Sequence, residues 1–198
     1  MLNKFKLINL IIYRKIVIFF IYFLIFFCIV IFFLKKNENH KNNIIINNYE
    51  NFIMKNHENN STYTNEINKF IIENKNIYGI LLALRLAKIY VDSNNLNSAI
   101  KILQFCLPYT LDSNLYTIIQ LRISRIQLEQ HDINHARATL YTIKDDSWRN
   151  MIEDIQGYIY ILENNNKSAL HSWKKSLFLQ TNRTIKNIMK FKICSIIQ

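Results

Sequence analysis

The chain carries five histidines and three cysteines, and the first question is whether any of them falls in a spacing that makes a reaction centre. An HExxH helix would bring two imidazoles and a base to one zinc ion, and a CxxC would make a redox pair. A GxxxxGK[ST] loop would cradle phosphates with backbone amides, and a GxSxG elbow would expose a nucleophilic hydroxyl. All four patterns are absent from the 198 residues. His131 and His135 stand four apart but straddle an expected turn at Asp132, so no metal site is expected there. His40, His57 and His171 have no partner ligand at useful spacing. Cys28 lies in an apolar run, which leaves Cys106 and Cys194 as the one pair that could bridge; small apolar filler is the preferred reading of both, and oxidation requires an oxidising compartment. No acid and base are brought together by the pattern. The chain is therefore expected to bind other proteins, with no catalytic residue, no cofactor and no small-molecule substrate.

The elements that must present such a binding surface are helices. Only two glycines, Gly79 and Gly157, and one proline, Pro108, occur, which excludes folds built on repeated tight turns or glycine-rich loops. The 27 Asn, 36 Ile and 18 Lys have the bias of an AT-rich coding sequence, so the formal charge of +11 is partly drift. The lysines are scattered, with no arginine-rich stripe interleaved with aromatics, and nucleic-acid binding is not expected.

Ile16 to Leu34 is a run of 19 residues without a charge, 17 of them Ile, Leu, Val or Phe. As a helix it would span about 28 Å, the thickness of the hydrocarbon core. A cleaved signal peptide would have a shorter apolar stretch and small residues at its end, whereas Lys35 and Lys36 follow at once, so an uncleaved single-span anchor is expected at 16–34. Lys4, Lys6, Arg14 and Lys15 precede it without an acid, which narrowly favours a cytoplasmic tail at 1–15. From 35 to 69 the chain is Asn-rich, and Ile44, Ile45, Ile46, Tyr49, Phe52 and Ile53 share a helical face. This segment reads as a stalk with leading helices or as a polar tether.

Beyond it, helix-length apolar patterns alternate with short polar turns: 76–92, 96–107, 114–130, 133–143, 148–163 and 168–179, with a capping helix at 184–197. Ser93-Asn94-Asn95, His131-Asp132 and Asn164-Asn165-Asn166 supply turn and capping residues. The helices pair and the pairs repeat. Ala99, Ala136 and Ala169, 37 and 33 apart, are each followed four residues on by Leu103, Leu140 and Trp173. Twelve residues before each alanine stands a small residue, Ala87, Ser124 or Gly157. This is the arithmetic of a tetratricopeptide-like array of about three pairs, whose units bury their apolar faces only by stacking.

These residues resemble the YfgM family, described as ancillary subunits of the SecYEG translocon. The resemblance runs from about Phe70 to Ile196. It is carried by the stretch from Glu73 to Gly79, Leu86-Ala87 with Val91-Asp92, the stretch from Leu121 to Gln127, Trp148, Asp154 with Gly157, and Ala169 with Trp173. It implies a bacterial inner-membrane anchor with a cytoplasmic N-terminus and a periplasmic tetratricopeptide-like domain at 70–198. It also implies association with the translocon and with a PpiD-like periplasmic chaperone. Members of the family begin with an acidic tail, whereas residues 1–15 here are basic.

Counting from the repeat register, Leu84 and Lys88, Leu121 and Arg125, and Asp154 and Tyr158 are expected to face the concave groove at equivalent heights, the two cations being available to carboxylates or to the carbonyl end of a partner helix. The alternative reading makes them solvated or packing residues covered by the terminal helix. The functional expectation is a translocon-associated, chaperone-binding scaffold; a membrane-anchored adaptor for another inner-membrane complex is the alternative.

Overall fold

The computed structural model describes residues 2–54 and 61–197, with side chains at 26–54 and 62–196. Those residues form nine α-helices and two short 3-10 turns, without a strand. The expected all-α class is what is found. The chain divides into two compact units, residues 1–55 and 56–198.

The first unit is one helix, α1 (Leu2–Met54). The Asn-rich residues as far as Met54 continue it. Of the expected span, residues 16–25 lie outside the described side chains. Among the described residues no helix is long and apolar enough to cross a membrane.

The second unit holds α2 (Ser61–Glu73), α3 (Ile77–Asp92), α4 (Leu96–Cys106), α5 (Ser113–Glu129), α6 (Ile133–Tyr141), α7 (Arg149–Leu162), α8 (Asn166–Leu179) and α9 (Arg183–Ile197). Packing joins α3 to α4, α5 to α6 and α7 to α8, with α2 against α3 and α9 against α8. Ends differ from the expected ones by one or two residues in either direction, set by where the capping residues stand. Asn76 turns its side-chain oxygen to the Tyr78 and Gly79 amides at 3.1 and 3.2 Å, and Asp112 takes the Leu115 amide at 2.7 Å. Helix α2 passes through residue 70, the expected start of the domain. Tyr63 and Ile67 on its first turns are already buried, together with Phe70 and Ile71.

One local rule builds all three pairs. Asn94, His131 and Asn164 take the left-handed conformation, with φ of 58°, 60° and 57°, at the same spacings of 37 and 33 as the alanines. Asparagine tolerates this region better than most residues because its short side chain bonds locally. The next residue in each turn caps the second helix: Asn95, Asp132 and Asn165 accept from the amides of Ser98, His135 and Ser168 at 3.3, 3.2 and 3.1 Å. The exposed Asp132 carboxyl also meets the His135 ring, and these two bonds hold it below the usual carboxylate range.

Where the paired helices cross, Ala99, Ala136 and Ala169 are fully buried, as are Leu82, Leu86, Leu103, Ile119, Ile123, Ile155 and Ile159 nearby. The small residues opposite behave as the repeat predicts. Ser124 hides its hydroxyl by donating to the Ala136 carbonyl at 3.0 Å, and at Gly157 the Trp173 ring lies where a Cβ would be.

Cys106 is buried on α4 and Cys194 exposed on α9, and both are free. Burial pushes the Cys106 thiol up to about 11, which keeps the thiolate scarce at neutral pH. In the folded chain a maleimide at pH 7 is expected to modify Cys194 and spare Cys106 until denaturant is added. Peptide mapping reads the difference, and rapid native labelling of Cys106 would contradict its placement.

Candidate functional site

The third pair carries two neighbouring carboxylates on α7, and their surroundings differ. Glu153 is buried, its side chain 4% exposed, between Arg149 Nε at 3.0 Å and Lys175 Nζ at 2.6 Å. A carboxylate so far from water needs such partners. Together with the Ser176 hydroxyl, which donates to the Asn150 carbonyl at 2.7 Å, this pairing fastens α8 along α7.

Asp154, one residue on and so about 100° further round α7, becomes the centre of a groove. Its Oδ1 receives Lys192 Nζ from α9 at 2.6 Å and its Oδ2 faces Arg125 Nη2 from α5 at 3.4 Å. The backbone carbonyl of the same residue accepts from Trp173 Nε1 at 3.0 Å. The Lys192 ammonium also lies 4.5 Å from the centre of the Tyr158 ring and 5.8 Å from that of Trp173. Those two rings meet edge to face at 5.3 Å. A cation over aromatic faces gains about 0.5–2 kcal/mol, so Lys192 is held by charge and by both rings.

Around this centre Arg125, Leu128, Glu129, Asp154, Tyr158, Ile161, Leu162 and Lys192 line a groove of about 410 Å³. Its wall is mixed: apolar side chains from α5 and α7 alternate with two cations and two carboxylates. Such a surface suits a peptide or helix that offers both apolar and charged groups. Among the described residues no three His, Cys, Asp or Glu side chains are gathered to hold a metal ion.

Of the six residues expected at the groove, Arg125, Asp154 and Tyr158 are brought together here. Leu84 and Leu121 lie in the interior, 8% and 4% exposed. Leu84 offers its carbonyl to Arg122 Nη1 at 3.1 Å, and Leu121 packs in a core with Leu140, Ile152 and Ile155. Lys88 is exposed on α3 and is not part of this groove. Register counting alone missed Leu128, Glu129, Ile161, Leu162 and Lys192. The first four stand three or four residues beyond Arg125 and Tyr158, so helical periodicity could have found them. Lys192 carries no such signal, because it comes from the terminal helix.

Comparison with known proteins now adds a family. The family model for a tetratricopeptide repeat-like domain matches residues 12–198. A protein of Buchnera aphidicola subsp. Acyrthosiphon pisum (strain APS) named ancillary SecYEG translocon subunit is 41% identical over 145 residues, covering 73% of this chain and 75% of its own. The protein of the same name in Buchnera aphidicola subsp. Schizaphis graminum (strain Sg) is 39% identical over the same shares. That of Escherichia coli (strain K12) is 34% identical over 125 residues, 63% of this chain and 61% of its own. No solved structure matches the chain. With its residues from 12 onward matched as a tetratricopeptide repeat-like domain and relatives of one name across most of that length, the chain belongs to the YfgM family of ancillary SecYEG translocon subunits.

Proposed function

We propose that the chain is an ancillary subunit of the SecYEG translocon of the inner membrane, a single-span protein whose tetratricopeptide-like unit stands in the periplasm and holds a PpiD-like chaperone beside emerging secretory chains. The observation that carries this reading is the 41% identity to a relative of that name over three quarters of the relative's length.

Two physical features support it. The apolar side chains described between Phe26 and Leu34 on α1 are 36% to 66% exposed, and exposed Phe, Ile and Leu in a continuous run call for a cover such as lipid. With residues 16–25 added from the sequence, the run has the length of a bilayer crossing, and its insertion is worth on the order of 5–10 kcal/mol. The groove between α5, α7 and α9 supplies the second feature, a half-open surface whose Arg125 keeps half of its side chain in contact with solvent.

Solubilising membranes in mild detergent and purifying the chain is expected to recover translocon subunits and a PpiD-like chaperone with it. Recovery of neither would defeat the reading, and recovery of a different inner-membrane complex would favour a general adaptor. The pair Arg125→Glu and Tyr158→Ser, both at exposed positions, is expected to release the chaperone several-fold while leaving the translocon bound. Unchanged chaperone recovery would move its site off the groove.

A further inference from the structure

The far end of the array presents a different surface. Helices α3, α5, α7 and α9 begin at Ile77, Ser113, Arg149 and Arg183, steps of 36, 36 and 34 residues, so α9 stands in the register of a first helix of a fourth pair. In the three preceding first helices the small residues Ala87, Ser124 and Gly157 are buried where the second helix of the pair crosses. The corresponding step of 34 from Gly157 reaches Phe191, and there the side chain is 79% exposed. Ile185 and Ile188, six and three residues back along the same ridge, are 39% and 50% exposed. On its inner side α9 buries Met189 and Ile193 against α8. Helix α9 therefore has two apolar faces, and one has no cover among the described residues. The terminal face of a solenoid is normally polar, and the outer ridge of α9, the last described helix, is apolar.

The charge around the open face is one-sided. Residues 164–198 contain seven Lys and Arg and no Asp or Glu. Lys175 and Lys192 are taken by Glu153 and Asp154. Arg183, Lys186 and Lys190 on α9 make no ion pair among the described residues. A second copy of this chain would set such a helix against another of the same sign, which opposes self-association.

We propose that the outer face of α9 is a docking site for an acidic amphipathic helix from another polypeptide, which takes the place of the second helix of a fourth pair. Ile185, Ile188 and Phe191 receive its apolar stripe, and Arg183 and Lys190 receive carboxylates on its flank. Phe191, where the other pairs have a small residue, sets this helix farther out than α4, α6 or α8 stand from their partners and makes the ring the main apolar contact. The site is separate from the groove and its test does not depend on the translocon.

The probe is a designed 14-residue amphipathic peptide with a Leu and Ala stripe flanked by Glu, labelled for fluorescence anisotropy and titrated into the full chain in nanodiscs; a peptide with the same stripe flanked by Lys is the control. The Glu peptide is expected to bind and the Lys peptide to fail. Ile188→Ser with Phe191→Ser, at exposed positions, is expected to keep the helical circular dichroism of the parent and to weaken the Glu peptide at least about tenfold. Raised salt is expected to weaken it as well. The proposal is overturned if the Glu peptide does not bind, if the double variant binds it as well as the parent, or if the Lys peptide binds equally. Two other results also overturn it. A dimer of the parent chain that the double variant abolishes would give the face to a second copy, and displacement of the peptide when phosphatidylglycerol replaces phosphatidylcholine in the nanodisc would give it to lipid.

Discussion

Trp173→Ala is expected to cost the folded unit about 3–5 kcal/mol, the range for emptying a buried tryptophan site. In thermal unfolding followed by circular dichroism this is a fall of about 10–15 °C for a unit of this size. The indole is 4% exposed and makes four contacts, three with α7 and one with α9. It fills the space over Gly157, donates to the Asp154 carbonyl, meets Tyr158 edge to face and lies under the Lys192 ammonium. Its removal leaves a cavity between α7 and α8, takes the second donor from a carbonyl that keeps its helical bond, and loosens α9. Trp173→Phe separates these effects: it keeps most of the volume and loses the N–H, so a loss of about 1–2 kcal/mol is expected from the hydrogen bond and the residual void together. A Trp173→Ala variant that melted with the parent would mean that α7 and α8 do not pack as described.

The second large effect runs against helix propensity. Gly79 lies in the first turn of α3, where alanine is favoured over glycine by up to about 1 kcal/mol, so propensity alone predicts that Gly79→Ala stabilises. The surroundings reverse the sign. A Cβ at Gly79 would lie 1.9 Å from the Asn74 carbonyl oxygen. That atom belongs to backbone held by the bond from the Asn76 amide to the same oxygen at 2.9 Å, so it has little freedom to retreat. The turn between α2 and α3 must open, and overpacking of this kind costs about 1–3 kcal/mol or more. Gly79→Ala is thus expected to lower stability by about 1–3 kcal/mol in urea unfolding, with Tyr63, Ile67 and Phe70 of α2 losing hydrogen-exchange protection first. A stabilised variant would show that the α2–α3 turn is not tight. The same argument applies to Gly157, where the obstruction is the Trp173 ring. In a chain that has drifted toward Asn, Ile and Lys, the only two glycines both stand where a methyl group has no room.

Much of the second unit was legible because its signals are local. Apolar residues at helical spacing, broken by Asn94, His131 and Asn164 with a capping side chain next to each, mark the pairs before any long-range contact is known. Ala99, Ala136 and Ala169 then report which faces cross. What the periodicity could not supply was depth. Leu84 and Leu121 share a register with Lys88 and Arg125 one turn later, yet they sit in the interior, because burial is decided by what neighbouring helices lay over each turn, which the spacing along one helix does not contain. Lys192 was illegible for another reason: its contact with Asp154 joins residues 38 apart, and nothing in a row of basic residues says which one turns inward. Helix α2 was partly hidden in the Asn-rich composition that precedes it, where only Tyr63, Ile67, Phe70 and Ile71 keep the helical spacing.

Packing that runs almost wholly from each helix to the next has a consequence for how the unit comes apart. With few bonds between distant segments, loop-closure entropy does not delay assembly, and loss can begin at either terminus without waiting for the middle. The C-terminal end then depends on one latch, the ammonium of Lys192 over Tyr158 and Asp154 with Met189 and Ile193 beneath it. A protease that catches α9 when this latch opens would trim the chain back toward Leu179, strip the Lys192 wall from the groove and leave the three pairs standing.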